Sequence, residues 1–189
     1  VDLSALAHKE AAPDAVAAAK EAKGAALKKH RGTIKRAEML SMVLNTLGGG
    51  LGLVLFGWIS NRLGRRGAFV LYHAVGFVAM IVLFLWLMPA GAPAWVLMVF
   101  LPIFGFFTLG MHAGYAVYFP ELYPTRLRST GTGFCFNMGR LAMAAAFFIF
   151  GFWLPVAPET KALILAPLYL VGVAIVFFAK ETKDDELPE

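Results

Sequence analysis

Long apolar runs separated by short polar breaks set the pattern of this chain. Met39 to Ile59, Ala68 to Met88, Trp95 to Phe119, Thr130 to Leu154 and Ala162 to Ala179 are almost entirely apolar or small. None shows the strict alternation of a membrane β-strand, and a helix needs about 20 apolar residues to cross a bilayer. The pattern therefore predicts an all-α membrane protein with five transmembrane helices, at 39–59, 68–88, 95–119, 130–154 and 162–179. Residues 1–38 read as a polar, basic extramembrane segment, interrupted by Pro13 and Gly24. Residues 180–189 read as a disordered polar tail.

The breaks differ in charge. Residues 60–67 contain Arg62, Arg65 and Arg66, and residues 120–129 contain Arg126 and Arg128, whereas 89–94 has no charge. Arginine is retained on the cytoplasmic side. The arginine-bearing loops and the tail are thus expected inside and the turns at 89–94 and 155–161 outside, with Trp86 and Trp95 as interface anchors. A multi-pass protein of the inner or plasma membrane with a cytoplasmic C-terminus is expected. Residues 1–38 then fall outside despite their lysines, as long segments can.

Composition excludes several classes. The chain is 59% hydrophobic with a mean hydropathy of +0.70, more than a soluble domain of 189 residues uses. The net charge of +5 is accounted for by the loops and the first segment, so no nucleic-acid partner is expected. The single cysteine, Cys135, precludes an internal disulfide and a cysteine-cluster metal site. No metal or cofactor is expected. Ser41, Ser60 and Ser129 all lie at span ends and no paired acid and base share a depth, so the chain does not read as an enzyme. In the first span Gly48-Gly49-Gly50-Leu51-Gly52 provides the small residues that let a second helix approach closely in lipid.

The first break reads Gly57-Trp58-Ile59-Ser60-Asn61-Arg62-Leu63-Gly64-Arg65-Arg66. It resembles the G-x-x-x-[DN]-R-x-G-R-R loop of the major facilitator superfamily at Gly57, Asn61, Arg62, Gly64, Arg65 and Arg66, with Asn61 in place of the usual acid. The second basic break, Pro120-Glu121-Leu122-Tyr123-Pro124-Thr125-Arg126-Leu127-Arg128-Ser129-Thr130-Gly131-Thr132-Gly133, is similar to the P-E-x-[FY]-P-T-x-x-R-x-x-G-x-G loop between helices 10 and 11 of the same superfamily. Glu181-Thr182-Lys183 resembles the P-E-T-K element after helix 12 of sugar porters, and Pro158-Glu159-Thr160-Lys161 has those letters one helix too early.

Two such loops in order imply helices 8–12 of a partial major facilitator bundle, and the chain is expected to be a piece whose N-terminal half is missing. The resemblance implies a secondary active transporter of a small polar organic solute, a metabolite anion or a sugar, coupled to protons by alternating access. A non-transporting structural or receptor relative is the alternative, and an intramembrane enzyme the weakest reading. An inner gate is expected in which Glu121 pairs with Arg62, Arg65 or Arg66 and Arg128 joins.

Charge inside a span is costly and marks function. Arg140 lies about 15 Å into the fourth span. A guanidinium at that depth fits a carboxylate, which it grips with paired donors. Asn137 lies one turn before it. His112 and Tyr115 share a face of the third span, and His112 can titrate during proton coupling. Asn45 is a weaker candidate in the first span, and His73 is expected near a surface.

Overall fold

The computed structural model describes residues 31–152, 156–185 and 188. Residues 1–30, most of the predicted extramembrane segment, lie outside the described residues. The described part is helical: α1 (Arg31–Ile81), a π-helical turn (Val82–Leu87), α2 (Ala94–Leu122), α3 (Arg128–Phe152), α4 (Pro158–Leu165) and α5 (Pro167–Phe178). Two compact units divide the chain, Val1–Met42 and Val43–Glu189. Of the first, residues 31–42 are described, as an exposed start of α1.

Among the described residues, four continuous helical stretches, not five, are long and apolar enough to cross a membrane: Arg31–Leu87, Ala94–Leu122, Arg128–Gly151 and Glu159–Phe178. The first of these stretches holds both of the first two predicted spans, on either side of a sharp break at Gly64. Helical hydrogen bonding runs up to Gly64, whose φ of 79° and ψ of 168° are the one non-helical pair inside α1. Glycine tolerates this positive φ with extended ψ, whereas a residue with a Cβ would be strained there by about 1–3 kcal/mol. A Cβ on Gly64 would also lie 2.7 Å from Glu181 Oε2.

At Gly64 the chain folds back on itself. Phe56 meets Phe69 and Tyr72 across the turn, with ring centroids 5.6 and 5.1 Å apart, and the Tyr72 hydroxyl donates to the Gly52 carbonyl at 3.0 Å. The second arm ends in the π-helical turn and a tight bend with Gly91 at φ 63°.

Glycine packing joins the first arm to α2. A Cβ at Gly48 would strike the Pro102 carbonyl, one at Gly52 the Phe106 carbonyl, and one at Gly105 the Asn45 carbonyl. Around these contacts lies a core of Phe56, Phe69, Tyr72, Met111, Tyr118 and Val176. The predicted fifth span is made of α4 and α5, which meet at Ala166 just before Pro167. His73 is buried: its ring packs on Tyr169 and Gly172 of α5, and Nδ1 lies 2.8 Å from the Phe69 carbonyl.

Candidate functional site

The turn at Gly64 ties α1, α2, α5 and the tail together. The Arg65 guanidinium grips Glu121, at the end of α2, with Nη2 2.8 Å from Oε1 and Nε 3.1 Å from Oε2. Its Nη1 donates to Ser60 Oγ at 2.6 Å and to Asn61 Oδ1 at 3.3 Å. Side-on bonding of both carboxylate oxygens fixes orientation as well as distance. Arg66 instead caps the end of α5, donating to the Val176 and Phe177 carbonyls at 3.2 and 2.7 Å. Those last carbonyls have no partner within their own helix and stand at the negative end of its dipole.

The tail, expected to be disordered, docks here through residues 180–182. Glu181 accepts hydrogen bonds from the Arg65 and Arg66 backbone N–H groups at 2.8 and 3.0 Å. Thr182 donates its hydroxyl to Glu121 Oε2, and the Tyr118 hydroxyl donates to the Lys180 carbonyl at 2.7 Å. Burial alone raises the Glu181 carboxyl. The N–H groups of Arg65, Arg66, Lys183 and Thr182 outweigh it and hold the carboxyl below the usual carboxylate range.

The other members of the predicted gate lie elsewhere. Arg62 is exposed and sits 4.1 Å over the Trp58 ring. Arg128 donates to the Pro120 and Pro188 carbonyls, and among the described residues to no carboxylate. Gly57 is on an open helical face, with no neighbour within 4 Å of the place a Cβ would take. Ser60, Glu181 and Thr182 were not among the predicted gate residues. For Glu181 and Thr182 the resemblance of residues 181–183 to a porter element was the available signal. Ser60, fully buried, left no trace in the pattern.

A cleft of about 810 Å³ lies between α2 and α3. It brings together His112, Tyr115 and Arg140, with Phe119, Phe136 and Phe147 as aromatic wall. Tyr115 stacks on Phe119 at 5.4 Å, and Phe119 meets Phe136 edge-on at 5.4 Å. The Tyr115 hydroxyl is 3.4 Å from Met111 Sδ, and His112 Nδ1 is 3.0 Å from the Leu109 carbonyl. Arg140 is exposed to the cleft and makes no hydrogen bond or ion pair among the described residues.

Two predicted cleft residues are not in its lining. Asn137 donates back to the Gly133 carbonyl at 2.9 Å. Asn45 belongs to the contact between the first arm and α2, where its Oδ1 is buried with no hydrogen-bond partner among the described residues. No group of three or more metal-ligating side chains occurs among the described residues.

The sequence profile described as Major Facilitator Superfamily matches residues 26–189. The chain belongs to the major facilitator superfamily. The family is one of membrane transporters, and the apolar helices fit an integral membrane protein. Among its relatives in the superfamily, a Haemophilus influenzae protein named for metabolite transport is 29% identical over 138 residues, covering 72% of this chain and 33% of that protein. The cis,cis-muconate transport protein of Acinetobacter baylyi is 31% identical over 140 residues, 71% of this chain and 32% of its own length. The synaptic vesicle 2-related protein of Rattus norvegicus is 27% identical over 161 residues, 82% and 28% respectively. This major facilitator chain thus spans about a third of the length of the relatives it matches. No solved structure gives a significant match.

Proposed function

We propose that this chain works as the C-terminal part of a secondary transporter that moves a small organic anion by alternating access, with an N-terminal half completing the path. The observation that carries this reading is Arg140, a cation half-way along α3 that faces the cleft with no partner among the described residues. A guanidinium within an apolar layer needs an anion or water to offset its desolvation. The rest of the lining favours an anion over a sugar. His112, Tyr115 and Cys135 are its other groups able to hydrogen-bond through side chains, and it has no amide or carboxylate. A sugar, with hydroxyls all round, would leave several of them unpaired there.

The docked turn at Gly64 supplies the gate. Glu121, at the end of α2, bonds both Arg65 of α1 and Thr182 of the tail, so releasing one carboxylate removes two links at once. The arginines of that turn support its placement on the cytoplasmic side. His112 gives the cleft a group able to carry a coupling proton.

Uptake by the intact protein in proteoliposomes tests the reading. Arg140→Lys should weaken uptake of an organic anion, because a point charge replaces a two-pronged donor, and Arg140→Ala should abolish it. Wild-type uptake by the alanine variant at normal expression would make Arg140 structural and overturn the anion reading.

A further inference from the structure

The trough that holds Arg140 continues past it. A second hollow of about 310 Å³ shares Met143 and Phe147 with the first and follows α3 to Gly151. There it meets α4 at Lys161 and Leu165. Lys161 is partly buried, and its ammonium forms no ion pair or hydrogen bond among the described residues. Glu159 does not neutralise it, since residues two apart on a helix point in different directions. A lysine lining an apolar wall can lay its methylene stem along that wall, but its ammonium has three donors to satisfy.

The two cations line different hollows: Arg140 lines the first and not the second, Lys161 the second and not the first. Arg140 and Gly151 are separated by about 16 Å of helix rise along α3. They mark two successive positions on one route. Between these positions Met143 and Phe147 belong to both hollows, so the apolar body of a solute can stay in contact while its charged end moves from one cation to the other.

We propose that Lys161 forms a second carboxylate subsite, at the end of α3 remote from the arginine turn, where an organic anion docks before it passes Met143 and Phe147 to Arg140. The inference rests on the anion reading above. The chemistry of the ligand at both positions is the same: a small carboxylate with an apolar body, which Phe147, Phe150 and Leu165 can cover.

Initial rates of uptake into proteoliposomes of the intact protein provide the test, with labelled benzoate, cis,cis-muconate and gluconate as probes. For whichever carboxylate the wild type moves, Lys161→Gln should raise KM about tenfold at an unchanged maximum rate. Lys161→Arg should restore most of the affinity, while Arg140→Ala should stop uptake. An unchanged KM in Lys161→Gln, with Arg140→Ala still inactive, would place the ammonium among lipid headgroups and overturn the subsite while leaving the anion reading intact. A lower maximum rate at unchanged KM would equally overturn it, as a structural effect. Failure of the wild type to move or bind any of the three acids would remove the anion reading and the subsite together.

Discussion

Glu121 is the residue on which the turn depends. Its two oxygens take Arg65 and Thr182 at once, and both members of the ion pair are 15% exposed, so water screens them only in part. Hydrogen bonds to charged groups contribute about 1.5–3 kcal/mol, enough to move a two-state equilibrium by about tenfold or more. Glu121→Gln should therefore change the balance of conformations, read as a changed maximum rate, with little change in KM. Cys135 offers a native reporter, since it lines the cleft and is the chain's single cysteine. Its rate of modification by a thiol reagent should change in the glutamine variant. Identical labelling and kinetics would show that the pair is static. Glu181 adds a pH signature. Its folded value lies below the ordinary one, so its docking contributes stability that is present above about pH 4.3 and is lost as pH falls through the lowered value. Hydrogen exchange at the Arg65 and Arg66 amides should rise on acidification in the wild type. In Glu181→Gln it should already be raised at neutral pH and respond little to acid.

At the scale of elements, glycine decides which helices touch. The approach of the first arm of α1 to α2 brings backbone against backbone at Gly48, Gly52 and Gly105, and the Tyr72 hydroxyl bonds the Gly52 carbonyl. In lipid there is no hydrophobic force between helices, so close packing of this kind supplies much of their association. Gly52→Ala should destabilise the protein by about 1–3 kcal/mol, seen as a lower melting temperature in detergent. Gly50, two positions away, has open space where a Cβ would go, and Gly50→Ala should be neutral or mildly stabilising. Equal effects at the two positions would refute the packing argument.

For the molecule as a whole, the open cleft sets the limit. None of the apolar window of α3 is buried, and its exposed residues include Phe134, Leu141 and Phe148. An alternating-access path lies between two repeats. This chain alone should insert into membranes yet show no uptake, whereas the intact protein should transport. Solute accumulation in vesicles containing only residues 1–189 would contradict this.

Apolar run length determined the helical membrane class, because the thickness of the bilayer leaves a spanning segment little choice of length or structure. The motif letters also made Glu121, Gly64 and the three arginines legible as a group, since a tight turn must bend sharply and its charges must meet nearby ends. Which arginine does what was decided in three dimensions. Arg62, Arg65 and Arg66 look alike in sequence, yet they stack on Trp58, grip Glu121 and cap α5, because each leaves the turn in a different direction. The same holds in the spans. Helical spacing alone grouped Asn137 with Arg140, but hydrogen bonding to the Gly133 carbonyl turns its amide back onto α3. The docking of Glu181 joins residues 116 positions apart in the chain, and the meeting of Lys161 with the end of α3 joins two separate helices. Periodicity reports one helix at a time, whereas such contacts depend on how the helices pack, and only the tertiary structure fixes that.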